Sequence, residues 1–222
     1  MKRLLLLLVV LISLKGSIMG QVDMPIHDPL TQKPYNIDKY AGVNGSPFFF
    51  ENWMKATIVT NKGQYSLAQV KFDAYDNVLQ FNQNDDLFEV SDQIVSFQLY
   101  AKPEDNKPTY FFEKGFSGNG LKPDQFVLVL VKGPVSFIRA ESKALTDVNQ
   151  INVGLIKTFT NVTRWYIIRD NAAQLVRLNK SEILPLLSDK AEQIQAYISA
   201  QSLNMKKEED FSKIIRYYNS LL

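Results

Sequence analysis

The sequence contains no cysteine, and its single histidine is His27. Without cysteine there are no disulfides, no thiolate metal sites, no cysteine nucleophile and no lipid-bearing N-terminal cysteine. His27 lies in an extended segment punctuated by Pro25, Pro29 and Pro34. It has no second histidine to pair with, which excludes zinc sites built on two or three histidines; a Ser-His-Asp triad would have to recruit this loop residue. The bland reading, a solvated loop side chain, is the preferred one. Clustered positive charge is missing too. Of the 25 basic residues, Lys2, Arg3 and Lys15 precede the first acid, Asp23, and the remainder carries 22 basic against 23 acidic side chains. Binding nucleic acid requires cations grouped to displace phosphate counterions, so no nucleic-acid partner is expected.

Long apolar runs are confined to the N-terminus. Lys2-Arg3, the run Leu4 to Leu14, and the small residues Gly16, Ser17 and Gly20 have the three-part form of a secretory leader. The run covers about half of the ~20 residues that a spanning helix requires. Residues 1–20 are therefore read as a signal peptide cleaved after Gly20, leaving Gln21 at the new terminus. The mature chain then has no transmembrane span and is soluble once exported. Its destination is the periplasm, the neighbourhood of the outer membrane, or the outside of the cell, which share this signal.

What the sequence does contain is a series of short strands from Ala56 to Leu99: Ala56–Thr60, Gln64–Phe72, Val78–Phe81, Leu87–Val90 and Ile94–Leu99. The breaks, Asn61-Lys62-Gly63, Asp73–Asn77 and Asn82–Asp86, are made of turn-forming residues. Connections this short force antiparallel pairing, hence a β-meander. Val95, Phe97 and Leu99 alternate with Ser96 and Gln98, which predicts one buried and one wet face. In Gln64–Phe72 the apolar phase slips between Leu67 and Val70, which predicts a β-bulge near Ala68-Gln69. Residues 21–55 read as an extended arm, because Pro25, Pro29, Pro34 and Pro47 oppose regular structure. The aromatic run Phe48-Phe49-Phe50 with Trp53 is expected to dock the arm on the sheet rather than to bind a ligand.

Further strands are read at Thr109–Glu113, Phe126–Val131, Val135–Ala140, Arg164–Arg169 and Gln174–Leu178. Phe126–Val131 is apolar throughout, as in a strand covered on both faces. Glu141 to Thr160 is ambiguous: Leu145, Val148, Ile151 and Leu155 recur at loosely helical intervals, yet Asn149, Asn152 and Gly154 weaken a helix. Period then changes. Ser181-Glu182-Ile183-Leu184 opens a short helix with Pro185 near its first turn. Asp189 and Glu192 form a capping-box-like start for Lys190–Gln201. Phe211, Ile214, Ile215 and Tyr218 make an apolar stripe behind Glu208-Glu209-Asp210.

Several motifs invite chemistry and fail on context. Gly115, Gly118 and Gly120 form a glycine-rich loop, but it leads to a strand, not to the helix a phosphate cradle needs. Asp73, Asp76, Asp85 and Asp86 lack the Asp-x-Asp-x-Asp-Gly spacing of a calcium loop and are read as turn residues. The acidic triplet Glu208-Glu209-Asp210 is read as complementing a helix dipole, not as a metal site. Asn44, Asn161 and Asn179 head Asn-x-Ser/Thr sequons, relevant only in a host that glycosylates them.

Gly45-Ser46-Pro47 through Trp53, the Lys62-Gly63 turn, Tyr75-Asp76 and Val95-Ser96-Phe97 resemble the start of exported β-rich proteins common in Bacteroidota-type genomes. Leu178-Asn179-Lys180, Leu187-Ser188-Asp189-Lys190, Tyr197, Lys207-Glu208-Glu209-Asp210 and Tyr217-Tyr218-Asn219 are similar to their tails. Lys102 to Asn161 is largely outside the likeness. The resemblance implies a cell-envelope setting and, since no activity is assigned to those proteins, no catalytic residues.

The expectation is a mainly β (α+β) protein with an antiparallel meander of nine or ten strands over 56–178, forming a curved sheet or partly open barrel, and C-terminal helices over 179–222 packed on it. The preferred function is a non-catalytic, exported cell-envelope protein that binds a protein partner or an apolar ligand. No catalytic, metal or cofactor-binding residue is assigned and no cofactor is expected. One alternative is a carboxylate-dependent hydrolase, which needs two acids converging in a concave pocket. Another is a structural component of an envelope assembly, joined through the C-terminal helices.

Overall fold

A computed structural model describes residues 30–102, 109–151, 154–170 and 172–222. The leader read in residues 1–20, the cleavage point after Gly20, His27, most of the loop before Thr109 and Asn171 lie outside the described residues. The protein is mainly β: among the described residues eleven strands form one antiparallel, open sheet, not closed into a barrel, followed by three α-helices. Spatial order is β1 (Gln32–Pro34), β5 (Asp86–Val90), β4 (Val78–Gln83), β3 (Gln64–Asp73), β2 (Met54–Thr60), β6 (Ile94–Tyr100), β7 (Tyr110–Glu113), β8 (Val127–Val131), β9 (Val135–Gln150), β10 (Gly154–Arg169) and β11 (Ala172–Val176). The arm contributes β1, too short and too proline-bound to be legible by alternation.

The bulge expected at Ala68-Gln69 is present. Met54 pairs Val70 and Ala56 pairs Leu67, so two residues of β3 face Lys55 alone. A second bulge corrects the reading of Val95. Val59 pairs Ser96 while Thr60 pairs Ile94, so Val95 is the extra residue. It turns outward, 48% exposed, and Ile94 turns inward beside Phe97 and Leu99. Asn84 and Asp85 both have positive φ and join Gln83 to Asp86, which is the two-residue type I′ hairpin favoured by strand twist.

The ambiguous stretch Glu141–Thr160 is strand. β9 and β10 pair along all 16 residues of each strand as one long hairpin, Val135 against Arg169 through Gln150 against Gly154. Apolar residues at mixed intervals suggested a helix there because this hairpin carries them on both faces. Leu145 opposes Phe159 on one side and Val148 opposes Ile156 on the other. Neither strand neighbour follows the hairpin outward: β8 pairs it only at 137–139 and β11 only at 165–169. Its middle instead leans across the meander, where Lys143 N–H donates to Ala74 O and Asn44 bridges Lys157 and Phe159.

Three clusters form the core. One lies inside the meander, where Phe72, Phe97, Phe112 and Phe126 meet; Phe97 and Phe112 stack at 4.6 Å. Phe49 and Phe50 of the arm join it, as docking required. A second lies between the end of the sheet and α1 (Lys180–Leu186), α2 (Ala191–Ala200) and α3 (Glu208–Ser220). Phe211, Ile214, Ile215 and Tyr218 are all buried there, each worth about 2 kcal/mol of burial. The third lies on the opposite face, where the 116–121 loop covers Val127, Ile138 and Tyr166. Strand β8 feeds all three clusters, which accounts for its unbroken apolar sequence.

Two helix starts differ from expectation. Asn179, not Ser181, caps α1, its side chain accepting from Glu182 N–H; Pro185 thus falls in the last turn. Asp189 does not cap α2, which starts after a 3₁₀ turn at Ser188–Lys190 with no side-chain cap. Its carboxylate instead accepts from the Tyr218 hydroxyl at 2.9 and 3.1 Å, and that hydroxyl accepts from Arg169 at 2.8 Å. A tertiary bond has taken the residue that local pattern offered to the helix.

Candidate functional site

The strand register places Lys33, Glu89, Gln80 and Lys71 side by side across β1, β5, β4 and β3, on the face away from the phenylalanine core. Such a polar row ordinarily faces water. Here residues 35–48 of the arm lie against it, Tyr35 N–H donating to Leu87 O, Ala74 N–H to Pro47 O and the Tyr40 hydroxyl to Asp73. Asp73, Gln80 and Glu89 become buried as a result. Glu89 is paired by Lys33 at 2.6 Å and by Lys39 at 3.6 Å.

Tyr40 is the main anchor. Its hydroxyl lies 2.6 Å from Asp73 Oδ2 and 2.9 Å from Asp76 Oδ2, and Lys39 pairs with Asp76 from the other side. One phenol proton thus serves two carboxylates. Burial raises the pKa of Asp73 above the carboxylate norm and the charge of Asp76 raises it further, against the hydrogen bonds that favour its ionised form. Burial and the bond to Asp73 push the Tyr40 phenol far above its ordinary value, so it remains a donor. Lys39 loses some basicity to burial but gains more from Asp76 and Glu89, and stays charged.

The structure therefore brings together two of the four aspartates singled out in the sequence. Both oxygens of Asp73 are occupied: Oδ1 accepts from Tyr75 and Asp76 N–H at 2.9 and 3.0 Å, and Oδ2 from Tyr40. That is turn and anchor chemistry. Asp85 and Asp86 are exposed at the β4–β5 turn, apart from this pair.

Beside the anchor opens a cleft of about 350 Å³ between arm and sheet. Tyr35, Tyr40, Phe48 and Trp53 supply rings, and Lys71 and Gln80 its sheet side. The Lys71 ammonium lies 4.8 Å from the Phe48 ring centre and 4.9 Å from that of Trp53. It makes no ion pair among the described residues. Gln80 is 2% exposed and its Oε1 has no hydrogen-bond partner. The aromatic run thus divides its labour, Phe49 and Phe50 to the core and Phe48 and Trp53 to the cleft. The sequence had one signal for the cleft's floor, a glutamine among apolar neighbours in Val78–Phe81, which by itself says nothing about a roof.

The remaining motifs take structural parts. Glu208 accepts from Arg139 at 2.9 Å and from Trp165 Nε1 at 2.7 Å, clamping α3 to the hairpin. Arg139 Nε, 3.3 Å from Glu141, is not aimed at it and makes no hydrogen bond. Asp210 accepts from Asn204 N–H and pairs Lys213. Gly118 lets its loop approach β11, and Asn119 donates to Ala173 O at 2.7 Å. Asn179 is engaged as a cap, Asn44 lies in the backbone bridge to β10, and Asn161 is exposed on β10. Among the described residues no three metal-ligating side chains converge, and no helix is long and apolar enough to cross a membrane.

Four of the exposed apolar side chains lie toward the far end of the β9–β10 hairpin, while Ile37 (74%) and Leu222 (62%) stand elsewhere. Ile151 is 86% and Leu155 74% exposed, with Val148 and Leu145 behind them. Searches against protein-family profiles, curated proteins and solved structures find no match to this chain.

Proposed function

We propose that this is a non-catalytic, exported cell-envelope protein that binds a protein partner through the end of its β9–β10 hairpin. Export and the envelope setting rest on the leader-like N-terminus and on the resemblance of the two ends of the chain. The observation that carries the binding role is the hairpin itself: it projects past its strand neighbours and bears apolar side chains on both faces where it is bare. Exposed apolar groups gathered on one protrusion mark an interaction site, whereas scattered ones do not. Its outer backbone edges beyond Lys143 and Lys157 are unpaired among the described residues, which also suits strand addition by a partner.

The apolar-carrier version has less support. The sheet is open, and the clefts on it are about 270 to 420 Å³ and surface-facing. The assembly reading loses its stated attachment, because the apolar stripe of α3 is already spent on the sheet. The hydrolase reading has less support, because the converging acids Asp73 and Asp76 are tied to Tyr40 and Lys39.

The test is a photo-crosslinking amino acid at position 151 in the full chain, expressed in cells that process the leader. A single crosslinked polypeptide that also co-purifies stoichiometrically with the unmodified chain, and is lost with Leu155→Asp, is the expected result. Crosslinks to lipid alone, or co-purification that survives Leu155→Asp, would overturn it.

A further inference from the structure

The geometry points to a second binding site, the aromatic cleft under the arm, with an acidic sugar unit (a pyranose ring bearing a carboxylate) as its ligand. It stands independently of the hairpin. The argument is one of matching unsatisfied groups. Phe48 and Trp53 offer ring faces of the kind that cover apolar C–H surfaces. Lys71 holds its ammonium over those two rings and makes no ion pair among the described residues. A carboxylate supplies an anion, and the rings keep water from screening the pair. Asp38 also lines the cleft, an acceptor that calls for donors rather than for a second anion.

Gln80 provides the independent indication. A nearly fully buried amide whose carbonyl oxygen lacks a donor costs stability, and folded chains rarely leave one unmade. The oxygen is closed to water, so a ligand hydroxyl restores that bond once the amide turns toward the cleft that Gln80 lines. Hydroxyls on Asp38 and Gln80, a carboxylate on Lys71 and a C–H face on the rings together describe an acidic sugar. Competing chemistries each leave something unmet. A neutral sugar leaves Lys71 unpaired, a fatty acid brings no hydroxyl for Gln80 or Asp38, and a phosphate dianion brings two charges to a cleft lined by one lysine and one aspartate. The cleft volume of about 350 Å³ suits one ring rather than a long chain segment.

The two tryptophans make the test direct, since Trp53 lies in the cleft and Trp165 lies at the α3 clamp. The full chain labelled with 5-fluorotryptophan is titrated with oligosaccharides containing galacturonate, glucuronate or sialate, each beside its neutral counterpart. At least one acidic member should move the ¹⁹F resonance of Trp53 and leave that of Trp165 in place, binding about tenfold or more tightly than its neutral counterpart. Lys71→Met should erase that preference, and Lys71→Arg should retain most of it. Gln80→Leu should weaken binding while the protein becomes no less stable. The inference is overturned if no acidic member moves the Trp53 resonance, if neutral counterparts bind equally, or if Lys71→Met keeps the preference. The Trp165 resonance reports in each variant on the helical half, and the melting temperature on the meander.

Discussion

The Tyr40 hydroxyl lies 2.6 Å from Asp73 Oδ2, fastening the N-terminal arm to the end of β3 across 33 residues of sequence. This bond closes the roof over the polar row of the sheet. It also decides that Asp73, placed by sequence among the turn residues, is a buried group.

Tyr40→Phe should therefore destabilise the protein by about 1–3 kcal/mol at neutral pH, because a buried carboxylate loses a donor. The sign of the pH dependence follows from Asp73. Burial raises its folded pKa, so in the window above the ordinary carboxylate value the folded state still binds a proton that the unfolded chain has released, and stability falls as pH rises there. Tyr40 works against this shift, and removing it widens the window upward. Denaturant unfolding of Tyr40→Phe should show a larger loss at pH 7 than at pH 4. An equal loss at both would mean that Asp73 is not the group affected.

Tyr218→Phe should loosen the helical layer. Asp189 would lose its donor and Arg169 one acceptor, while the ring remained packed. A cost of about 1–3 kcal/mol is expected. Amide exchange should accelerate over residues 180–200 and stay unchanged in β2–β6, since the meander has its own core. Uniform acceleration would show that the two halves unfold as one unit.

Gly118→Ala should be among the more damaging single-methyl additions. The residue has φ +122°, where side chains are strained, and a Cβ there would stand 2.9 Å from Ala173 O. The expected loss is on the order of 1–3 kcal/mol. Gly120→Ala is the control: its Cβ would meet nothing within 4 Å, so only the backbone strain of φ +84° remains. A melting point for Gly118→Ala at or above that of Gly120→Ala would contradict the close approach.

Ile151→Asp and Leu155→Asp should leave the fold untouched, changing stability by no more than about 0.5 kcal/mol. Both side chains are more than two-thirds exposed. Their effect should fall on partner capture, and a drop in melting temperature for either would show instead that the tip packs within the chain.

Particular residues show where sequence reasoning reached and where it stopped. The slip between Leu67 and Val70 revealed the bulge at Ala68-Gln69, because the extra residues lie on the strand whose alternation they break. Val95 kept perfect alternation with Phe97 and Leu99 and was still misassigned, since its bulge is defined by the register with β2. The stretch Glu141–Thr160 stayed ambiguous because alternation is a signal only when one face is wet, and this hairpin has apolar groups on both. Asp189 shows the same limit from the helical side. Its spacing to Glu192 is a capping pattern, but the Tyr218 hydroxyl offered a better partner.

The sequence by itself determined the local order of this protein. Short polar turns made most consecutive strands antiparallel pairs (β5 and β6 excepted, since β6 pairs β2), period-two alternation set most of their inward faces, and the stripe from Phe211 to Tyr218 set the packing face of α3. These are properties of a few neighbouring residues. Only the tertiary structure decided that the arm roofs the wet face of the meander, that Phe48 and Trp53 turn to Lys71 while Phe49 and Phe50 turn to the core, and that Ile151 and Leu155 stay exposed. The reason is physical: which face is covered depends on segments tens of residues away, and burial changes a polar side chain's partners and charge without leaving a mark on its own sequence neighbourhood.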